Sequence, residues 1–214
     1  MHGLRQHCEG CPEGSTGYAM KINAVVLAAG KSSRMGTNKL LLELEGKTIL
    51  DHILDNLRDY DTIVVTGHRP EDIEPIIKRH RAKSVHNPDY EKGMTTSFQT
   101  GLRTLDPEAD TVYLVLSDTF GFQQELLYAM EEKMASTTAL LVSPIYDGKR
   151  GHPVLVAHEL FNEFLELGED ETMKDVVIRH EDKHEYVQGD MWTRIDLDTP
   201  EDYERVKKLW TNRV

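Results

Sequence analysis

Residues 22–41 read INAVVLAAGKSSRMGTNKLL, a stretch that joins an apolar run to a cationic loop. The run 22–28 is apolar apart from one asparagine, which is typical of a strand that is covered on both faces. Small residues follow the run, and they allow backbone N–H groups to approach an anion closely. The stretch carries Lys31, Arg34 and Lys39 and no acidic residue, although the formal net charge of the chain is −12. Together these features predict a local anion site that suits a triphosphate.

The spacing of this loop excludes two standard phosphate-binding motifs. The dinucleotide-binding pattern G-x-G-x-x-G does not occur in the chain. The Walker A pattern requires G-x-x-x-x-G-K-[ST], whereas five residues separate Gly30 from Gly36 and Thr37 follows. The sequence therefore argues against both a P-loop NTPase and a dinucleotide-binding Rossmann domain.

Beyond this stretch, short apolar runs alternate with helical patterns. The runs predict strands, and apolar residues spaced three and four apart predict amphipathic helices. This alternation is typical of an α/β fold with three layers, in which helices cover both faces of a mostly parallel open sheet. We expect strands at 62–66, 83–86, 111–116 and 138–143, and helices at 48–58, 71–80, 95–105 and 122–135.

The C-terminal part of the chain predicts shorter elements and one well-defined helix. Thr199 is a natural N-cap, Pro200 suits the first helical position, and Asp202 lies three residues after the cap. A helix therefore begins at this point. We also expect strands at 154–157, 184–187 and 192–196, and a helix at 158–167.

The chain divides into a leader and one domain. Residues 1–19 contain Gly, Pro, Ser and Cys without an apolar period, which predicts a flexible leader. Cys8 and Cys11 have C-x-x-C spacing, but the second pair of a structural zinc site is missing, so zinc binding is the weaker alternative. Residues 20–214 show no repeat and no long linker, and we expect a single domain.

The composition excludes several classes of partner. The chain has 25 basic and 37 acidic residues, which disfavours a duplex nucleic acid. No run approaches the roughly 18 apolar residues of a membrane helix, and no secretory signal is visible. With only two cysteines a disulfide framework is absent. We therefore expect a cytoplasmic protein with neither a nucleic-acid nor a membrane partner.

Four ordered segments carry a family resemblance. Residues 27–41, LAAGKSSRMGTNKLL, look like the L-A-[AG]-G-x-S-x-R-M-G-x-x-K signature of MobA-like nucleotidyltransferases. Residues 87–101 have the spacing N-P-x-[WY]-x-x-G-x-x-x-S-x-x-x-G, residues 151–153 read GHP, and residues 196–202 read DLDTPED. The chain thus resembles the family that includes the molybdenum-cofactor (molybdopterin) guanylyl- and cytidylyltransferases. The Ala-Ala-Gly form at 28–30 is similar to the cytidylyl branch.

This resemblance implies a fold and a reaction. The fold is that of nucleotide-diphospho-sugar transferases, a Rossmann-like open sheet that binds nucleotide at the carboxyl ends of its early strands. The reaction is Mg²⁺-dependent transfer of CMP from CTP to the terminal phosphate of molybdopterin, with release of pyrophosphate. The alternatives are another phosphorylated acceptor, such as a sugar phosphate, and a noncatalytic nucleotide-binding accessory protein. A molybdoenzyme or its chaperone is the partner that the first interpretation implies.

The resemblance also assigns roles to residues. Lys39 and Arg34 would neutralise triphosphate charge, and Asp118, after the strand 111–116, would act with them. Asp118 and Asp198 would bind the metal, with Asp196 as the alternative to Asp198 because we expect only one of the pair to face Asp118. The expected nucleotide-binding residues are Leu27, Ala28, Ala29, Gly30, Ser32, Ser33, Arg34, Met35, Gly36, Lys39, Asn87, Gly93 and Ser97.

Three further residues are candidates for binding the second substrate. Thr95 and Thr96 lie at a helix start, where backbone N–H groups favour an anion, but either could instead be an N-cap. His152 could contact substrate or stabilise its own turn.

Two further features of the sequence bear on function, namely Phe120 and the segment 180–184. Relatives usually have D-x-P after the strand that precedes Asp118, whereas this chain has Phe120, and we expect its bulk near the second substrate. Residues 180–184, HEDKH, match the zinc-protease pattern H-E-x-x-H, but charged residues fill its centre and no third ligand follows. We interpret them as a solvated helix end.

Overall fold

The alternation of strands and helices predicted from the sequence is confirmed. The computed structural model describes residues 20–213, so the predicted leader 1–19, with Cys8 and Cys11, lies outside the described residues. The strands of this part are β1 (Ile22–Ala28), β2 (Glu43–Leu44), β3 (Lys47–Thr48), β4 (Asp61–Thr66), β5 (Lys83–His86), β6 (Thr111–Leu116), β7 (Leu141–Tyr146), β8 (Lys149–Arg150), β9 (Val154–Ala157) and β10 (His184–Gln188). The α-helices are α1 (Ile49–Asn56), α2 (Glu74–Arg79), α3 (Met94–Leu102), α4 (Gln124–Ser136), α5 (Phe161–Leu165), α6 (Met173–Arg179) and α7 (Pro200–Thr211).

Eight of these strands form one sheet in the order β10-β7-β9-β6-β1-β4-β5, with β8 paired to the end of β7. β1 runs parallel to β4 and β6, β4 parallel to β5, and β7 parallel to β10. Only β9 and β8 are antiparallel to their neighbours in this sheet. The chain builds outward from β1 to β4 and β5 before it crosses to β6 on the other side. The carboxyl ends of β1 and β6 are therefore a topological switch point, where open α/β sheets bind ligands.

Each face of the sheet packs against its own layer of helices. Successive side chains of a strand point to opposite faces. Val25 and Leu27 of β1 accordingly pack with α3, α5 and α6, whereas Ala24 and Val26 pack with α1, α2, α4 and α7. All four are buried, which explains why β1 reads as a continuous apolar run. The predicted three-layer α/β/α architecture is confirmed. Across residues 20–213, no helix has the length and apolar run needed to cross a bilayer.

The strand predicted at 192–196 is wrong. Met191–Thr193 form a single 3-10 turn, in which the Asp190 carboxylate accepts a hydrogen bond from the Trp192 backbone at 2.9 Å. Trp192 is buried in the core, so the apolar residues of this segment reflect a buried turn. Other boundaries also differ: β7 begins later than predicted, and 3-10 turns (Pro70–Asp72 and His158–Leu160) precede α2 and α5.

The helix α6 was not predicted, although Thr172 and Asp175 form a capping box at its start. This helix bears on the H-E-x-x-H match. His180 ends α6, whereas His184 begins β10, so the two imidazoles do not share a helix. His180 pairs with Glu163 at 2.6 Å, and His184 bonds Ser143 at 2.8 Å. The structure therefore supports the exclusion of a zinc-protease motif.

Candidate active site

A cavity of about 270 Å³ opens at the carboxyl ends of β1 and β6. The loop after β1, the turn after β6 and the start of α3 form its walls. Twelve of the predicted site residues line it: Leu27, Ala28, Ala29, Gly30, Ser32, Ser33, Arg34, Lys39, Gly93, Ser97, Asp118 and Asp198. The fold thus assembles the cavity from segments that lie far apart in the sequence.

The loop after β1 has a defined backbone path. Ser32 and Gly36 adopt positive φ angles of 50° and 73°, and the Met35 N–H donates to the Ser32 carbonyl at 3.0 Å. Met35 is buried and anchors the loop in the core. Met35 and Gly36 therefore shape the loop without lining the cavity, and their contact with nucleotide stays a prediction. A Cβ on Gly30 would meet no atom within 4 Å, so the loop is open there.

Lys39 lies at the centre of the charged site. The Asn38 side chain caps the short helix that begins at Lys39, and the Lys39 N–H donates to Ser32 Oγ at 3.3 Å. The Lys39 side chain is only 12% exposed. Its Nζ is 3.3 Å from Asp198 Oδ1 and 3.5 Å from Asp118 Oδ2. One ammonium group therefore holds two carboxylates from distant parts of the chain, well within the roughly 10 Å beyond which they could not share a metal ion.

Asp198 is positioned by the N-terminus of α7. Thr199 and Asp202 form the predicted capping box, and the Asp202 carboxylate also accepts from the Asp198 backbone N–H at 3.3 Å. Arg34 Nη2 lies 2.9 Å from Oδ2, the second carboxylate oxygen of Asp198, and the Arg34 side chain is 73% exposed. Asp198 therefore meets both predicted cations.

Asp196 is placed differently from Asp198. It does not line the cavity, and it has no ion pair among the described residues. Desolvation, followed by the charges of Asp118 and Asp198, raises its pKa. The chain at 194–199 is not a strand, and Leu197 between the two aspartates is fully buried. This geometry favours Asp198 over Asp196.

The turn that carries Asp118 is anchored by Phe120. The Thr119 N–H donates to the Leu116 carbonyl at 3.1 Å, and the Phe120 side chain is fully buried. The Phe120 ring packs against Trp210 and Trp192 with centroid distances of 5.6 and 6.4 Å. The expectation that its bulk lies near the substrate is therefore wrong, because the ring fills the core behind the turn.

Asn87, which was expected to bind nucleotide, does not line the central cavity, and neither do Thr95 and Thr96, whose expected contact with the second substrate stays a prediction. The buried amide of Asn87 donates to the hydroxyls of Thr96 and Ser97 at 3.0 Å each, and it accepts from the Asp89 N–H at 3.0 Å. These bonds hold the loop before α3, where Gly93 adopts φ 112°. All three residues face an adjacent groove instead. The motif at 87–97 is therefore mainly a scaffold that presents Gly93 and Ser97.

Several residues of the cavity were not predicted: Leu40, Tyr90, Met94, Leu116 and Ser117. Tyr90 belongs to the quoted family segment, so that segment was a usable signal. Its side chain lies so close to Gly67 that a Cβ on that glycine would be 2.6 Å from both Cβ and Cγ of Tyr90. Lys31, which does not line the cavity, pairs with Glu91, and its Nζ lies 5.9 Å from the centre of the Tyr90 ring.

His152 lies outside this cavity and lines a neighbouring one. Desolvation lowers its pKa, while the nearby charge of Asp118 acts in the opposite direction. The neutral imidazole is therefore favoured at neutral pH. The predicted contact of His152 with the second substrate remains a prediction.

Asp118 and Asp198 are a donor set that suits a hard divalent cation. Mg²⁺ is usually held by one or two carboxylates, together with phosphate and water oxygens. Within the described part of the chain, no group of three or more Asp, Glu, His or Cys residues could hold an ion. Two convergent carboxylates beside an open cavity fit a Mg²⁺ that binds together with a triphosphate.

Comparison with known proteins finds relatives that span most of the chain. The molybdenum cofactor cytidylyltransferase of Escherichia coli K12 is 29% identical over 196 residues, which covers 89% of this chain and 97% of that protein. A probable molybdenum cofactor guanylyltransferase of Natranaerobius thermophilus is 24% identical, with coverage of 87% and 95%. The crystal structure of Rv0371c from Mycobacterium tuberculosis H37Rv has a TM-score of 0.77 and 26% identity, and covers 89% of this chain and 100% of that one. A complex of Rv0371c with manganese has a TM-score of 0.74 at 24% identity, with coverage of 88% and 99%.

The matched region contains most of the site. The family described as MobA-like NTP transferase domain matches residues 24–184, which include the loop after β1, the segment before α3 and Asp118. Since this match spans well over half of the chain and the fold and cavity agree with it, the chain belongs to the MobA-like NTP transferase family and is a nucleotidyltransferase.

Proposed function

We propose that this nucleotidyltransferase moves CMP from CTP to the terminal phosphate of molybdopterin and releases pyrophosphate. The observation that carries the proposal is the placement of Lys39 between Asp118 and Asp198, in the cavity beside the loop after β1. Two carboxylates and two cations around one cavity suit a metal-bound triphosphate, since both the ion and the phosphates find oppositely charged partners.

The chemistry requires positioning and charge neutralisation. An acceptor phosphate oxygen would attack the α-phosphorus of CTP in line with the leaving pyrophosphate, so that one P–O bond forms as another breaks. The backbone of the loop at 28–33 would hold the triphosphate, and Lys39 and Arg34 would stabilise the charge that develops on it. Asp118 and Asp198 would hold Mg²⁺, which neutralises phosphate charge when it is bound. A manganese complex of the mycobacterial neighbour is consistent with a divalent ion.

The choice of CTP rests on the loop and on one relative. The Ala28-Ala29-Gly30 form resembles the cytidylyl branch, and the E. coli relative is named a cytidylyltransferase. The guanylyltransferase relative has lower identity over a similar length. We therefore expect CTP to bind more tightly than GTP in the presence of Mg²⁺. The cytoplasmic location and a molybdoenzyme or chaperone as the receiving partner remain predictions.

Pyrophosphate release tests the proposal. The purified chain, Mg²⁺ and molybdopterin should release pyrophosphate with CTP much faster than with GTP. Asp118→Asn should abolish release while its circular dichroism spectrum and melting temperature stay close to those of the unmodified chain. Faster release with GTP would replace the cytidylyl assignment by a guanylyl one. Release with N-acetylglucosamine 1-phosphate but not with molybdopterin would favour a sugar-phosphate acceptor, and nucleotide binding without turnover would favour an accessory protein.

A further inference from the structure

The ammonium group of Lys39 joins the two carboxylates to which we assign the metal ion. Its Nζ lies 3.5 Å from Asp118 Oδ2 and 3.3 Å from Asp198 Oδ1. The other oxygen of Asp198 is 2.9 Å from Arg34 Nη2, so both oxygens of this carboxylate have a cationic partner. A divalent ion that binds the two aspartates therefore competes with Lys39 for the same oxygen atoms.

The charges of this cluster cancel within the protein. The two carboxylates face one ammonium group and one guanidinium group. A divalent ion alone would add positive charge to a balanced cluster, and it would meet the Lys39 ammonium at short range, where like charges repel. A triphosphate supplies the missing negative charge. The ion and the nucleotide are therefore expected to bind together much more strongly than either binds alone.

The two carboxylates have supports that do not depend on Lys39. The Asp198 backbone N–H donates to the Asp202 carboxylate at 3.3 Å, within the capping box of α7. The turn that carries Asp118 is closed by a 3.1 Å hydrogen bond from the Thr119 N–H to the Leu116 carbonyl. Both carboxylates can therefore stay near each other when the ammonium group leaves them.

The Lys39 side chain is the part of the cluster that can move. Its backbone is fixed, because its N–H donates to Ser32 Oγ at 3.3 Å and the adjacent Leu40 is buried in the core. Its stem is flexible and its charge is compact. Lys39 lines the same cavity as Gly30 and Ser33 of the loop after β1. Rotation of the stem alone therefore moves Nζ from the carboxylates toward the place where we expect the triphosphate.

We propose that Lys39 is a displaceable internal counter-ion: it pairs with Asp118 and Asp198 before the substrates bind, and it transfers to the triphosphate when the metal ion takes those carboxylates. The inference rests on the proposed function, which supplies the ion and the triphosphate. Without nucleotide, the displaced ammonium group has no other anion in the cavity to pair with. Metal ion and nucleotide thus raise each other's affinity, as linkage requires.

The variant Lys39→Met tests this role, because it keeps the length of the side chain and removes the charge. Mn²⁺ affinity without nucleotide, measured by electron paramagnetic resonance, should rise on the order of tenfold, since the carboxylates no longer have an ammonium partner. CTP affinity without metal, measured by calorimetry, should fall on the order of tenfold, since the phosphates lose a cation. The two affinities therefore change in opposite directions.

These signs separate displacement from a merely structural role. If Lys39 only held the carboxylates in place, its removal would weaken Mn²⁺ binding or leave it unchanged, and either result would overturn the inference. Lys31→Met is the matched control, because Lys31 lies in the same loop but pairs with Glu91 and does not line the cavity. It should leave Mn²⁺ affinity nearly unchanged. An equal rise in both variants would also overturn the inference, since the loss of any nearby positive charge would then be sufficient.

Chemical labelling follows the ammonium group in the unmodified chain. Lys39 should react slowly with acetic anhydride, because its side chain is largely shielded and paired. Saturating Mg²⁺ without nucleotide should speed this reaction several-fold, and the further addition of CTP should slow it again. Mass spectrometry measures both changes, with Lys31 as the internal reference for Mg²⁺ alone. An unchanged rate at Lys39 with saturating Mg²⁺ would show that the ammonium group keeps its carboxylates, which overturns displacement.

Failure of this inference and failure of the proposed function are distinguishable. Mn²⁺ affinity and Mg²⁺-dependent labelling are measured without nucleotide or molybdopterin. A rise of Mn²⁺ affinity in Lys39→Met would support displacement even if CTP and molybdopterin yielded no pyrophosphate, a result that would count against the proposed function alone. Conversely, CTP-dependent pyrophosphate release together with weaker Mn²⁺ binding by Lys39→Met would support the function and overturn displacement.

Discussion

At the scale of single residues, Lys39 gives the sharpest prediction. Its ammonium group contacts both carboxylates of the site and is largely shielded from solvent. We expect Lys39→Ala to lower kcat on the order of a hundredfold or more, because a shielded cation that meets developing phosphate charge stabilises the transition state. Steady-state pyrophosphate release measures this effect.

Lys31→Ala is the matched control for Lys39→Ala. Lys31 lies in the same loop but is half exposed, pairs with Glu91 and does not line the cavity. Its removal should change kcat little. An equal loss in both variants would mean that general positive charge, rather than the placement of Lys39, matters for turnover.

The same residues show what could be predicted from the sequence. Lys39, Arg34 and Gly30 lie in one contiguous motif, so their convergence follows from local spacing. Met94 and Leu116 could not be found in this way, because apolar side chains at element ends become cavity walls only through tertiary packing. Asn87 was expected to bind nucleotide because a polar residue in a family motif indicates function. In the structure, the hydrogen bonds of its side-chain amide go to residues of the same segment, 87–97.

At the scale of elements, the N-terminus of α7 links stability to the site. Thr199→Ala removes the hydroxyl that donates a hydrogen bond to the Asp202 carboxylate. The same carboxylate accepts a hydrogen bond from the Asp198 backbone N–H. We expect a loss of about 1 kcal/mol in unfolding free energy. The kcat should also fall several-fold, because the hydrogen bond from the Asp198 backbone N–H to the Asp202 carboxylate is weakened when Asp202 is no longer held in place. Urea unfolding and pyrophosphate release measure the two effects.

Thr48→Ala separates these two effects. Thr48 forms an equivalent capping box with Asp51 at the start of α1, away from the cavity. It should lose similar stability and keep its turnover. If Thr199→Ala also kept full turnover, the capping box of α7 would have no positioning role.

The contact between β7 and β10 predicts a pH dependence of stability. Burial, and then the charge of Arg150, lowers the pKa of His184 from 6.5 to about 4, while Glu181 acts in the opposite direction. The unfolded chain therefore binds more protons than the folded chain between pH 4 and 6.5, and this contribution to stability is lost as pH falls through that window. The loss is roughly 3 kcal/mol by pH 4.

Unfolding free energies measured by urea at several pH values between 4 and 7 test this slope. His184→Asn, which retains a partner for Ser143, should flatten it. His158→Asn is the control, because His158 bonds the Ala109 carbonyl elsewhere and leaves His184 in place. An unchanged slope in His184→Asn would show that other groups cause the pH dependence.

At the scale of the whole molecule, the sequence predicted the three layers of the fold better than the secondary structure of the C-terminal segment before α7. Apolar runs such as β1 have a simple period, and the parallel order of the sheet follows from their alternation with helices. The turn at Met191–Thr193 has no such period, because Trp192 is buried by contacts with distant residues. The role of Phe120 was missed for the same reason, since its partners Trp192 and Trp210 come from far along the chain.

That aromatic cluster leads to a prediction about how the two metal-binding candidates keep their separation. Phe120 lies two residues after Asp118, and Trp210 belongs to α7, the helix that follows Asp198. Contact between their rings at 5.6 Å therefore ties the β6 turn to the helix that positions Asp198. Trp210→Ala should lower unfolding stability by roughly 2–3 kcal/mol. It should also weaken Mn²⁺ binding in the presence of CTP, because the two carboxylates are no longer held at a fixed separation.

Phe161→Ala distinguishes this coupling from a general loss of stability. Phe161 is a buried aromatic residue on the opposite face of the sheet, outside both cavities. Its removal should destabilise the fold to a comparable degree, since it also leaves a core void. Mn²⁺ affinity, measured by electron paramagnetic resonance well below the melting temperature of each variant, should then fall in Trp210→Ala and stay unchanged in Phe161→Ala. Equal affinities in the two variants would mean that the carboxylates keep their spacing without the aromatic cluster, and that the loop after β1, through Lys39, is sufficient to hold them together.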